Sequence, residues 1–316
     1  MTAFERRVFL RTALWGTASA ALIGGSVLRP VPALGRSRKT KPAIIKLGDS
    51  GMAVVTGLGG NVLVAPDGEG LLMVDSGDEH SPHELKKLVL KEFGGRKVHT
   101  LFNTHWHLEH TGGNERFAKD GARIVAHEYT RQWMGTEVYI NWQNRTYEPR
   151  PKLARPTETF MTDGQRPFRK GFLKYGPLAR AHTDSDIYVF FPDENVVVTG
   201  GVVSVGEYPI LDYVTGGWIG EMLEATNTLL ALTNENTVIV PGHGPVQNRA
   251  HLQAEHDMLS TVLDRMRHML RKGLSADEMI AQGITKEYDA TWGDPTLFMN
   301  NAYQGIYGHL REMRIA

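Results

Sequence analysis

The sequence predicts a single α/β domain in which two strand-rich halves stack and helices cover the outside. Two observations lead there. Short apolar runs bounded by Gly- and Asp-containing turns recur in both halves of the chain, and stretches with helical spacing fall between and after them. The composition agrees: of 316 residues, 41% are apolar and 22% charged, an ordinary globular balance with ample material for a core.

Taken in order, the chain opens on a segment that reads as a targeting signal. Glu5-Arg6-Arg7-Val8-Phe9-Leu10-Arg11 resembles a twin-arginine export signal. The weakly apolar stretch 13–28 that follows is shorter than the ~20 residues a spanning helix needs. Small residues at Ala33 and Gly35 suit a cleavage site. Residues 1–35 are therefore expected to be a signal peptide, and 36–316 the working domain, with a helical tail from about 250. Partnership with the twin-arginine export machinery and a periplasmic or secreted bacterial location follow as expectations.

Residues 43–47, 52–56, 61–65 and 71–74 read as a β-meander. Helix 82–93 starts at Ser81 as N-cap with Pro82 at the first helical position, and Gly94-Gly95 ends it. Strand 97–102 runs into Asn103-Thr104-His105, and a short helix at 114–119 leads to a strand at 122–126. Strands 187–191 and 196–199 form a hairpin around Pro192-Asp193-Glu194-Asn195. Helix 221–232 precedes a strand at 237–240, which opens into Pro241-Gly242-His243-Gly244. A long helix spans 250–272, with Leu252, Leu259, Val262, Leu263, Met266 and Leu270 on one face.

Charge and cysteine content exclude several functions. The 35 basic and 35 acidic residues balance, which argues against a nucleic-acid binder. Removal of residues 1–35 takes away four arginines and one glutamate and leaves a net charge of −3, so the mature form lacks a basic membrane-binding character and stable membrane insertion is not expected. Cysteine is absent, so thiol nucleophiles and thiolate ligands are excluded, and the 13 histidines become the chief metal donors.

The chemistry concentrates in loops that meet strands. His105-Trp106-His107-Leu108-Glu109-His110 packs three histidines and a carboxylate into six positions. In extended chain, i and i+2 share a side, so His105 and His107 can chelate one ion. Glu109 and His110 then project elsewhere and can reach a second ion. His182 lies just before a strand and His243 just after one. Neutral imidazole is a common zinc ligand, and catalytic zinc commonly keeps three protein ligands and a water.

These residues resemble the signature of the metallo-β-lactamase superfamily, His-x-His-x-Asp-His followed by a distant His, an Asp and a final His, over about residues 43–250. The resemblance implies an α+β fold, the αββα sandwich, with the metal site at one edge of the two sheets. It implies that His105, His107 and His182 hold a first metal, and that His110 and His243 contribute to a second. Asp75, in Val74-Asp75-Ser76-Gly77, corresponds to a strand-end Asp that holds the metal loop rather than binding metal. Two departures stand out. Glu109 replaces the signature Asp, and Gly201, in Thr199-Gly200-Gly201, stands where a bridging aspartate is usual. One branch of the true β-lactamases lacks both cysteine and that bridge, and Glu109, His110 and His243 imitate its second site. The second ion is therefore expected to bind more loosely than the first; two equally tight ions would instead point to Asp184 or Asp212 as the replacement for the bridge.

His127 is expected to stand behind the ligands. Trp133, Tyr139, Trp142 and Tyr208 are candidates for a substrate wall, and Arg145, Arg150, Lys152 and Arg155 lie near enough to orient an anion. Bound zinc lowers the pKa of water toward ~7 and so supplies hydroxide for attack on a carbonyl or related ester of a small-molecule substrate. Glu109 is placed to orient that nucleophile and carry its proton. Five imidazoles favour zinc, with iron and manganese as the alternatives. Three readings stand: a zinc-dependent hydrolase of an unknown small molecule, a cysteine-free β-lactamase, and a metal-binding protein whose catalytic site has decayed.

Overall fold

The computed structural model describes residues 41–178 and 180–309. The expected signal segment at 1–35 lies outside the described residues. In chain order, β1 (Ala43–Lys46), β2 (Ala53–Thr56), β3 (Val62–Asp67) and β4 (Gly70–Val74) form an antiparallel meander. To this, β5 (Val98–Phe102) and β6 (Arg123–His127) add in parallel. A separate small hairpin is made by β7 (Val138–Ile140) and β8 (Arg145–Tyr147). Strand β9 (Glu158–Phe160) then returns to pair in parallel outside β6. The second sheet runs β10 (Gly164–Phe168), β11 (Gly171–Pro177), β12 (Ile187–Phe191) and β13 (Val196–Gly200), all antiparallel neighbours, with β14 (Val238–Pro241) parallel to β13.

Alternation along the strands explains the layers. Leu63, Ala65, Leu72, Val74 and Phe102 from the first sheet meet Leu173, Val189, Phe191, Val196 and Val198 from the second in one apolar interlayer. The intervening residues Val62, Val64, Leu71, Met73 and Leu101 point the other way, onto Leu85 and Val89 of α1 (Pro82–Glu92). Because both faces of these strands are buried, their sequences are continuous apolar runs rather than alternating ones. On the far side, Tyr188, Phe190, Val197 and Ile239 pack against the C-terminal helices. The result is the αββα sandwich.

Helix α2 (Leu108–Thr111) follows β5 directly, α3 (Asn114–Ala118) follows it, and α4 (Glu128–Trp133) follows β6. Helices α5 (Ile219–Leu232), α6 (Arg249–Leu270), α7 (Ala276–Ala281), α8 (Asp289–Trp292) and α9 (Thr296–Gly308) cover the second sheet. Among the described residues no helix is long and apolar enough to cross a membrane. The sequence reading lacked β7 to β11 and the short helices α2 and α4. The strands among these are three-residue pieces or, in β10 and β11, an edge pair interrupted by Gly164, Pro167, Gly171 and Gly176 and lacking a continuous apolar run. Pro167 in β10 is tolerated because β10 is an edge strand.

Candidate metal centre

The carboxyl ends of β4, β5, β13 and β14 meet at one edge of the sandwich, where open α/β sheets commonly bind ligands. Asp75 follows β4, His105 to His110 follow β5, Gly201 follows β13 and His243 follows β14. The loop carrying His182 enters antiparallel β12 from the same edge.

The histidine motif divides because the chain changes conformation within it. His105 lies in the non-helical turn after β5, and His107 (φ −58°, ψ 145°) caps α2, which begins at Leu108. Glu109 and His110 are consequently carried on the first turn of a helix and project to a different side. Donor atoms of His105, His107 and His182 lie within 4.8 Å of one another, and those of Glu109, His110 and His243 form a second such group. The structure thus brings together all six side chains that the sequence singled out as ligands.

Four of the imidazoles are each held in one tautomer by the outer nitrogen. His107 Nε2 donates to Asp212 Oδ2 at 3.0 Å, leaving Nδ1 toward the site. His182 Nδ1 donates to the Ile210 carbonyl at 2.7 Å, leaving Nε2. His110 Nδ1 donates to Asp75 Oδ2 at 2.8 Å. His105 Nδ1 faces Thr104 Oγ1 at 3.1 Å, and that hydroxyl donates in turn to Asp75 Oδ2. The remaining nitrogen, His105 Nε2, is buried without any hydrogen-bond partner. A buried polar atom left so is costly unless something binds it.

That orphan nitrogen is the test of fit for a metal. His107 Nδ1 and His182 Nε2 face each other at 3.0 Å. Two nitrogens each ~2.0–2.1 Å from one tetrahedral zinc would stand ~3.3 Å apart, so the triad suits a single ion. Electrostatics agree. Burial, then the neighbouring imidazoles, hold His105 well below its ordinary pKa. Burial and the charge of His107 take His182 to about 3, and burial and His110 take His243 to about 4. Burial also works against a charged His107, but the hydrogen bond to Asp212 and the charges of Glu109 and Asp212 outweigh it and raise its pKa. A proton shared across the tight His107–His182 pair therefore belongs to His107. Glu109 is half-buried; burial would raise its pKa, yet three surrounding imidazoles pull it down to about 2, so it is a carboxylate.

Asp75 holds this arrangement from behind. It is 1% exposed, sits at φ +67°, and accepts from Thr104 N and Thr104 Oγ1 as well as from His110, each at 2.8 Å. Gly60 is required beside it, since a Cβ there would lie 2.3 Å from His110 Cε1. Asp212, which the sequence offered as a bridging carboxylate, instead braces His107. Asp184, the other such carboxylate, accepts from Trp133 Nε1 at 2.6 Å. No signal local to Asp212 announces its role, because its partner is 105 residues away.

Other expectations are corrected. His127 does not stand behind the ligands: it caps α4 by accepting from Tyr129 N and packs on Tyr129 and Phe160. None of the four aromatics lines the cleft over the ligands. Trp133 and Trp142 pack on the Trp106 cluster, where Trp142 Nε1 reaches Asp212 Oδ1 at 3.3 Å. Tyr139 is exposed and bonds Asn144. Tyr208 is buried, stacked on Phe298, because its hydroxyl finds Asp289 and the Thr285 carbonyl there. Arg145 and Arg150 pair with Glu79. The cleft is lined instead by residues between Gly200 and Ile210 other than Tyr208, and by His105, Glu109, His110, His182 and His243.

A family model described as the metallo-beta-lactamase superfamily matches residues 55–243. A metallo-beta-lactamase type 2 from Bacillus cereus is 25% identical over 207 residues, 63% of this chain and 72% of that protein. The 2,4-dinitroanisole O-demethylase subunit alpha of Nocardioides sp. (strain JS1661) is 24% identical over 215 residues, 62% of this chain and 56% of that one. Among solved structures, a metallo-beta-lactamase from Pontibacter korlensis superposes with a TM-score of 0.57 at 19% identity, over 70% of this chain and 99% of that one. The sec-alkylsulfatase Pisa1 from Pseudomonas sp. gives 0.66 at 15% identity, over 83% of this chain and 50% of that chain. At such identities the solved structures speak to the fold alone.

Proposed function

Because this chain belongs to the metallo-β-lactamase superfamily, whose members are metal-dependent hydrolases, we propose that it is an exported, zinc-dependent hydrolase acting on a carbonyl or related ester of a small molecule. The observation that carries this reading is the pair of donor groups at one sheet edge, with His105 Nε2 buried and unpaired. His105, His107 and His182 would hold a first ion, and Glu109, His110 and His243 a second. A divalent ion there supplies Lewis acidity and acidifies water. The chain's own residues do the rest. Asp212, Thr104, Asp75 and the Ile210 carbonyl keep the imidazoles of His107, His105, His110 and His182 aimed. Glu109, ionised and half-exposed at the cleft, accepts a proton from the attacking water and returns it to the leaving group. The retained ligand geometry speaks against a decayed site. Passage through the twin-arginine machinery to the periplasm belongs to the same proposal and is supported by the Arg6-Arg7 segment.

The test is metal analysis of purified protein joined to a panel of ester, lactone, thioester and β-lactam substrates. Zinc content with chelator-sensitive turnover of one class is the expected result. His105→Ala and His107→Ala should each lose the tight ion, and retention of full zinc by both would overturn the assignment. β-Lactam opening is the second reading, favoured by the cysteine-free donor set without a bridging carboxylate; turnover confined to cephalosporins or carbapenems would select it.

A further inference from the structure

The segment from Gly201 to Tyr208 forms one wall of the cleft, and it is held from behind by helices beyond the family-matched region. The peptide at Ser204 is gripped on both sides by α6. Its N–H donates to the two oxygens of Glu255, at 3.1 and 3.3 Å, and its carbonyl accepts from His251 Nε2 at 2.7 Å. Glu255 is fully buried. Four residues on, Tyr208 is fixed by its hydroxyl bonds to Asp289 and Thr285 and by its stack on Phe298. Between these two anchors the chain turns at Gly206, φ +70°, and presents Glu207 to the cleft.

A single exposed glutamate is commonplace, but this one has an uncommon setting. Its carboxylate has no hydrogen bond and no ion pair among the described residues, although it sits on an anchored wall. Among the described residues no lysine or arginine lines the cleft. The cations that the sequence offered for an anionic substrate are engaged elsewhere: Arg145 and Arg150 pair with Glu79, and Arg155 bonds the Arg150 carbonyl. The fixed side-chain charge at the cleft is therefore negative, from Glu109 at the ligand set and Glu207 on the wall.

We propose that Glu207 selects substrate charge: the cleft takes acyl compounds whose outer portion carries an ammonium or similar cationic group, and it disfavours those carrying a carboxylate or a sulfate. This rests on the hydrolase reading and narrows its substrate class. It also weighs against β-lactams bearing a carboxylate. Two features separate the selection from simple attraction to a metal ion. It resides on the wall, and it shrinks as salt screens an exposed charge.

The experiment uses three matched hydroxamates, which share one metal-anchoring group and end in trimethylammonium, tert-butyl or carboxylate. Their dissociation constants are measured by calorimetry on zinc-loaded parent, Glu207→Gln and Glu207→Lys proteins, with circular dichroism to check the fold. An exposed charge pair is worth up to about fivefold in affinity. The ratio of cationic to anionic affinity, each referred to the tert-butyl probe, should fall about fivefold in Glu207→Gln and reverse in Glu207→Lys. A ratio equal in parent and Glu207→Gln overturns the proposal. Absence of binding by all three probes overturns it together with the metal-site reading. A shifted ratio with no hydrolysis of any panel substrate sinks the hydrolase reading alone, whereas hydrolysis with a flat ratio sinks charge selection alone.

Discussion

Replacing Asp75 by Asn isolates one charge at the root of the candidate metal centre. Asparagine tolerates the left-handed backbone that Asp75 adopts at φ +67°, so the change adds little strain. Three donors converge on the carboxylate: Thr104 N on Oδ1, and Thr104 Oγ1 and His110 Nδ1 on Oδ2. An amide satisfies only some of them, because one orientation sets its NH2 against the Thr104 N–H and the other sets it against His110. Each hydrogen bond to a buried charge contributes about 1.5–3 kcal/mol, so the metal-free fold should lose roughly 2–4 kcal/mol. Carboxylates that orient metal-ligating histidines typically change metal affinity about 10–100-fold when mutated. The larger loss is expected at the His110 site, which Asp75 contacts directly, and a smaller one at the His105 site, reached through Thr104. Zinc titration in competition with a chromophoric chelator, with thermal unfolding of the metal-free protein alongside, measures both. If Asp75→Asn binds both ions within twofold of the parent, Asp75 does not orient the ligands.

Three further substitutions probe other links. Gly201→Asp would place a Cβ 2.4 Å from His182 Cδ2, so it should displace that ligand and weaken the tight ion instead of supplying a bridge; tighter binding of two ions in calorimetry would refute this. Glu255 is pushed well above its ordinary pKa by burial, so between the unfolded and folded values the native state binds more protons and stability falls as pH rises. Glu255→Gln should therefore gain thermal stability over the parent as pH rises above 4.5, and a gap that does not widen with pH would count against it. Tyr208→Phe removes the bonds to Asp289 and Thr285, about 1–3 kcal/mol, so its unfolding midpoint should drop while zinc content stays; zinc loss without destabilisation would restore Tyr208 to the site.

The two candidate donor groups were legible because their signal is local. His105, His107, Glu109 and His110 crowd one loop after an apolar strand, and His182 and His243 each abut a strand end. The layers were legible for a similar reason, since buried strands such as 62–65 and 71–74 are continuous apolar runs. What supports the ligands was less legible. Asp212 meets His107, and Glu255 meets Ser204, only through tertiary packing, and no spacing rule connects them. Tyr208 and the tryptophans have a polar end and an apolar body, so sequence cannot say whether the polar end turns to a cleft or to a buried acceptor. For Tyr208 the acceptors Asp289 and Thr285 decide it. His127 was misjudged because a strand-end histidine caps a following helix as readily as it faces a metal.

The first donor group draws His105 and His107 from the first sheet's edge and His182 from the second, with His107 and His182 separated by 75 residues. No short segment of the chain contains the whole set: the unfolded polypeptide keeps only the local His105–His107 pair and must close a long loop to add His182. An ion that recognises only the closed arrangement adds its binding free energy to the native state alone. It thereby becomes a rivet between the two halves of the sandwich. Metal supply would then govern how long the assembled chain survives heat or proteolysis, quite apart from any turnover.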